Sequence, residues 1–302
     1  MTTTARDSDR LTRFLIEGAG VRGVLVHLDD TWRRIAGNGD YPPEVRTMLG
    51  EATAAAALFT GHAKVAGRLS VQLRGTGALR TLFAECTASG TLRGIARLAE
   101  DAGEGQEIAG LHGLGDDAVM AITIENPGTH GREPVRYQGL VSLAADDLSG
   151  AFEDYFRQSE QLPTRLLLAA DGERAAGLML QKLPGDGGDA DGWDRASALF
   201  STLAPAELLA LDGEGLLMRL FHEDGVRNLG GRDLAFACSC SRERVAAVLV
   251  SLGIEEARAA VIDGLARVRC EFCGQAWEFD RDDIDALFTD ERRSMEAPQR
   301  LQ

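Results

Sequence analysis

Residues 236–280 read FACSCSRERVAAVLVSLGIEEARAAVIDGLARVRCEFCGQAWEFD, and two cysteine pairs frame the stretch. Cys238 and Cys240 stand one residue apart, 29 residues intervene, and Cys270 and Cys273 stand two residues apart. Zinc takes four ligands tetrahedrally, and a closely spaced thiolate pair wraps one edge of that tetrahedron. Two such pairs, brought together by a folded spacer, complete it. The spacer can fold in this way. SRERVAAVLVSLG has helical periodicity with a stop at Gly253, and IEEARAAVIDGL begins a second helix with acidic residues in its first turn. The second pair lies between the strand-like ARVRC and AWEFD with Gly274 directly after it, the pattern of a zinc knuckle. Cys238, Cys240, Cys270 and Cys273 are therefore expected to form one tetrahedral zinc-thiolate site in a small C-terminal domain of helices plus a β-hairpin.

All-thiolate ligation leaves no open coordination position, so catalysis by the metal is not expected. Two other roles follow from the spacing. One is an inert clip holding together a domain too small to fold alone. The other is redox: thiolates are the form that oxidants attack, and each pair is close enough to close a local disulfide, which would eject the metal and unfold the domain.

Upstream, residues 195–222 carry enough Leu, Met and Phe for short amphipathic helices, limited by Pro205 and two nearby glycines. Helices this short hold only by packing on something else. A Gly/Asp-rich breaker, PGDGGDADGWD at 184–194, separates them from what precedes. The earlier chain alternates strands with two helices. A strand is expected through Val24, Val26 and Leu28, then a helix opened by Pro42 and Pro43 with an Ala-rich body. GRLSVQLRG, LRTLFAECT and LRGIARL form a meander turning at Gly75–Gly77 and Ser89–Gly90, with further strands at 118–126, 137–144 and 164–171. Asp146 and Asp147 open a second helix whose Leu148, Phe152, Tyr155 and Phe156 share a face. The fold class read from this is α+β. An antiparallel-sheet-rich core domain (1–180) is followed by an amphipathic helical linker (181–236), a zinc-binding domain (237–288) and a C-terminal tail (289–302).

Composition narrows the function. The 302-residue chain has 47 acidic and 32 basic residues, a net charge of −15 that repels polyanions, and no long Lys/Arg run. Nucleic-acid binding by a zinc ribbon is the rival reading this disfavours. No apolar stretch is long enough for a membrane span, and MTTTARDSDR has no export-signal pattern, so a cytoplasmic location is expected. In that reducing compartment five cysteines read as metal ligands or redox groups, with Cys86 left over as a buried free thiol. Gly18, Gly20 and Gly23 spell G-x-G-x-x-G but precede a strand, so they read as a turn rather than a dinucleotide site. His27, His62, His112, His130 and His222 are scattered without catalytic partners, and no enzyme is expected. A thiol–disulfide oxidoreductase is disfavoured because the Cys-x-x-Cys does not open a helix in a βαβ unit.

FACSCSRERV, RCEFCG and EDYFRQSEQLPTRL (153–166), with GRLSVQLRGTG, LRGIARL and LFHEDGVR, together resemble the redox-regulated 33 kDa chaperonin family, in the same order along nearly the whole chain. The resemblance implies a heat-shock holdase that works without ATP. It implies that the reduced, zinc-bound form is an inactive or weakly active monomer with one Zn2+ per chain. Oxidants form the disulfides Cys238–Cys240 and Cys270–Cys273 and release the zinc; the zinc domain and linker then unfold and the protein dimerises. Unfolding client proteins bind exposed apolar surface and later pass to ATP-dependent foldase chaperones. Leu208, Leu209, Leu211, Leu216, Leu217, Met218, Leu220 and Phe221 are the candidate client surface, docked in one state and binding in the other. The Gly/Asp-rich stretch is looser than the family's linker would lead one to expect.

Overall fold

The computed structural model describes residues 8–100, 108, 110–128, 133–185 and 188–296. The chain divides into two units, Met1–Ala237 and Cys238–Gln302. Asp186, Gly187, His130 and the two chain ends lie outside the described residues.

The first unit begins with β1 (Arg10–Ile16), β2 (Val21–Leu28), α1 (Asp30–Ala36) and α2 (Pro43–His62). There follow β3 (Arg68–Arg74), β4 (Leu79–Thr87), β5 (Thr91–Leu98), β6 (Val119–Asn126), β7 (Val135–Ser142) and α3 (Leu148–Ser159). Next come β8 (Thr164–Ala170), β9 (Ala175–Lys182), α4 (Gly192–Phe200), α5 (Pro205–Ala210) and α6 (Gly213–Phe221). The last two strands are β10 (Val226–Asp233) and β11 (Ala235–Phe236). One sheet has the order β10-β1-β2-β9-β8 and is antiparallel throughout. The other runs β11-β5-β4-β3-β6-β7, antiparallel except for the parallel β11–β5 pair. This is the α+β, sheet-rich architecture the sequence predicts.

Helix α2 is buried all round from Ala52 to Thr60 because it packs against both sheets at once. Its alanine run explains how. A helix without large side chains is slim enough for two β layers to close on it, and alanine is also the best helix former. The approach is tight at Gly50, where an added Cβ would lie 2.5 Å from Ala170 Cβ and 3.1 Å from the Trp32 ring. Its two buried threonine hydroxyls at positions 53 and 60 donate back to Leu49 O and Ala56 O, each at 2.7 Å, so no polar group is stranded.

The stretch 153–166 joins this core to its surroundings. Asp147 caps α3 by accepting from Gly150 N at 2.7 Å, and Phe152 and Phe156 meet Phe59 edge-on at 4.8 and 5.1 Å. Glu160 accepts from Gln181 Nε2 at 2.9 Å and faces His62. Arg22, itself donating to Gln181, completes a polar knot at one end of α2.

Four elements depart from the sequence expectation, each for a local reason. β1 precedes the expected strand and forms a hairpin with it; the three glycines are split between the turn and β2, where Gly23 faces the Phe14 ring across the ladder. α1 is a short helix whose first N–H groups are capped by the Asp9 carboxylate from outside it. β9 is buried on both faces and shows no alternation. β10, VRNLGGRD, is an exposed edge strand with little apolar content.

Glu51 on α2 is half-buried near Asp147, and burial first, then that charge, pushes its carboxyl up to about 7. An acid whose folded pKa lies above the unfolded value, about 4.3, favours the fold while protonated and loses that advantage as pH rises through 7. Glu51→Gln is therefore expected to stabilise the protein by about 1–3 kcal/mol at pH 8 and to have little effect near pH 4. Thermal melts across that range check it.

The second unit contains α7 (Arg242–Leu252), α8 (Ile254–Ala259), β12 (Ala266–Arg269), β13 (Ala276–Phe279) and α9 (Arg281–Glu296). β12 and β13 form an antiparallel hairpin. Among the described residues its buried core is Val245, Leu249, Ala257, Ala266, Phe279, Ile284 and Phe288.

Candidate metal centre

Each cysteine is positioned by its local chain. Ser241 caps α7 by accepting from Arg244 N at 3.3 Å, and Arg244 Nη1 donates to Ser239 O at 2.7 Å, which pins the Cys-x-Cys segment ahead of the helix. The second pair lies at the tip of the β12–β13 hairpin. There Cys270 N donates to Gln275 O at 2.9 Å and Gly274 N to Cys270 O at 2.8 Å. Gly274 has φ +69°, a left-handed turn that a side chain would strain. Arg242 joins the two halves: it donates to Glu278 O and to Asp283 Oδ2, both at 2.7 Å, and lies over the Phe279 ring at 4.2 Å.

These constraints bring all four sulfurs within 4.8 Å of one another. The closest contacts run across the pairs, Cys238 Sγ to Cys270 Sγ at 3.6 Å and Cys240 Sγ to Cys273 Sγ at 3.3 Å. A tetrahedral ion with metal–sulfur bonds of about 2.3 Å holds its ligands about 3.8 Å apart, whereas a disulfide is about 2.05 Å long. The arrangement fits metal ligands and free thiols. Four thiolates this close require a cation. Burial pushes the Cys238 and Cys273 thiols up. At Cys270 burial acts the same way but is outweighed by the Phe272 and Cys273 N–H groups and the neighbouring thiols, which together hold it down. A metal ion removes the repulsion that otherwise keeps thiols protonated, and all-sulfur donors suit a soft or borderline cation.

The candidate client residues are mostly core in this structure. Leu208, Leu216, Leu217, Leu220 and Phe221 are buried, Leu209 and Leu211 are partly buried against them, and Met218 is 51% exposed. They cover the face of the five-stranded sheet remote from α2, packing with Phe14, Leu25, Leu178 and Phe200. Hydrogen bonds add to this attachment: the His27 ring nitrogen meets Leu208 O at 2.9 Å, and Arg174 donates to Leu209 O at 3.1 Å.

An ion-pair clasp was not visible in the sequence. Arg195 on α4 pairs with Asp189 at 3.0 Å, with Asp191 at 2.9 Å and with Asp224. The Asp224 side chain is only 4% exposed, which makes the guanidinium its main compensation. Asp224 O in turn accepts from Gly18 N at 2.9 Å, and Asp189 N donates to Gly18 O at 2.7 Å. The beginning and end of the α4–α6 segment are thus fastened to the β1–β2 turn. The Gly/Asp-rich stretch is docked here where it is described, and its aspartates serve as the anchors.

The remaining singled-out residues do not converge. Cys86 is buried in β4, where burial pushes its thiol up to about 11. His222 is exposed and faces Glu223 at 3.9 Å.

The family model described as Hsp33 protein matches residues 9–280. A 33 kDa chaperonin of Nitrosococcus oceani is 42% identical over 284 residues, covering 94% of this chain and 95% of that protein. One from Azotobacter vinelandii is 43% identical over 290 residues, covering 93% and 95%. The crystal structure of the 33 kDa chaperonin of Thermotoga maritima superposes with a TM-score of 0.75 at 18% identity, covering 94% of this chain and 99% of that one.

Proposed function

Because the chain belongs to the Hsp33 family, we propose that it is a redox-regulated, ATP-independent holdase rather than an enzyme. It binds unfolding proteins under oxidative stress. The observation that carries this reading is the gathering of four sulfurs within 4.8 Å in a unit with a very small buried core.

In this reading Cys238, Cys240, Cys270 and Cys273 hold one Zn2+ per chain when reduced. The ion's contribution is to neutralise the thiolates and cross-link the unit. Oxidation pairs Cys238 with Cys240 and Cys270 with Cys273. Each pair loses two electrons to the oxidant, hypochlorite for example being reduced to chloride and water. Both disulfides withdraw sulfur donors, and the unit loses the cross-link on which its folding depends. Residues 237–288 act as the sensor domain and 289–302 as its tail. Residues 181–236 act as a metastable linker on the 1–180 core. The apolar surface of α5 and α6, released with the linker, is where clients bind. Activation favours a homodimer, clients pass to ATP-dependent foldases once reductant returns, and the protein works in the cytoplasm; no described helix is long and apolar enough to cross a membrane.

Zinc release and suppression of client aggregation, followed together during titration with hypochlorite, test the proposal. About one zinc per chain is expected to leave as holding activity rises. Loss of zinc with no gain in activity would reduce the site to a structural clip.

A further inference from the structure

Arg13, Lys64 and Arg232 line a groove of about 330 Å³ between the β1–β10 edge and the end of α2, together with Leu11, Thr60 and Val65. No acidic residue lines it. Among the described residues many arginines of this acidic chain meet a carboxylate, but these three cations, gathered in one groove, have none. Lys64 is moreover one of only two lysines, with Lys182. The end of a helix carries partial negative charge and accounts for one nearby cation. It does not account for three.

Arg232 supplies the independent observation. It pairs with Leu11 across the ladder, and its Nη1 donates to Ala88 O at 2.5 Å. Its Nε and Nη2 are buried without any acceptor. Leaving buried donors unmade is costly, and a guanidinium fork is shaped for two oxygens of one oxyanion. The β1–β10 register shifts between Thr12 and Phe14, so Arg13 sits at a ladder irregularity, a place where strands re-aim side chains.

We infer that this groove is a binding site for a short phosphoanion of the diphosphate class. A small turn of the Arg232 guanidinium about its Ala88 bond presents the two free nitrogens to one phosphoryl group, and Arg13 and Lys64 face the other. The net charge of −15 repels long polyanions, which favours a ligand that fits within the groove. The site lies on the α2 side of the five-stranded sheet, opposite α4–α6, and its Arg232 stands on β10 within the proposed 181–236 linker, so the reduced protein is the form in which it is complete.

Calorimetric titration of the reduced full-length protein with inorganic pyrophosphate tests it, at constant ionic strength with chloride as the control. Saturable one-to-one binding is expected, unchanged after metal chelation. Arg13→Gln combined with Lys64→Gln, both on the surface, should weaken it by at least about tenfold, and Arg232→Lys, which keeps the charge but loses the fork, should also weaken it. Lys182→Gln should leave it intact. The inference is overturned by no saturable binding up to about 10 mM, by equal affinity in the double variant, or by equal losses in the Lys182 control.

Discussion

Chelation of the reduced protein is expected to unfold residues 238–288 while both sheets of the first unit remain folded. Seven buried side chains form the described core of the second unit, too few to offset the ordering of several dozen residues. A four-sulfur zinc site contributes about 10–16 kcal/mol in small domains of this kind, far more than any other single interaction there. Hydrogen exchange by mass spectrometry is the direct check. Amides of α7, β12 and β13 should lose protection on chelation, and those of α2 should keep it. Cys270→Ser should reproduce the effect without chelator. Undiminished protection of α7 in the metal-free reduced protein would show that the unit stands without its ion, and the switch would lose its physical basis.

The second large effect concerns the clasp. Arg195→Ala leaves the Asp224 carboxylate, 4% exposed, without its guanidinium. Removing the guanidinium leaves a nearly buried carboxylate uncompensated at the point where short helices, which hold only by their packing, are fastened to the β1–β2 turn. Release of α4–α6 is expected, seen as faster exchange across 192–221 and as suppression of client aggregation by the reduced, metal-bound protein. Arg219→Ala is the matched control. It breaks a pair with Glu207 in which the arginine is 63% exposed, worth under about 1 kcal/mol. If the two variants exchanged alike, the clasp would be no more than a surface ion pair.

The contrast between these sites shows what the sequence made legible. Four cysteines in two close pairs declare themselves because metal ligation imposes short spacings, and Gly274 marks the turn that the second pair needs. Arg195 and Asp224 are 29 residues apart with no period between them, so only the fold reveals that they meet. The same holds for strands. β3–β5 alternate and are separated by glycine turns, so their meander is readable. β9 hides its strand character by being buried on both faces, and β10 hides it by being mostly exposed. The apolar set from Leu208 to Phe221 was legible as amphipathic helices, but its partner was not, because much of the sheet face it covers comes from β1 and β2, far away in sequence.

The burial of α2 from Ala52 to Thr60 bears on reversibility. Over that stretch the helix has no wettable face and nowhere to go when neighbouring parts of the molecule come loose, so it stays between the sheets. If α4–α6 leave the opposite face of the five-stranded sheet, that sheet keeps its shape from behind. It then serves as a standing template, with Phe14, Leu25 and Leu178 already in register for the returning helices. On the proposed mechanism, resetting after stress thus needs the second unit to refold around its ion and the short segments to re-dock, without refolding the core around α2.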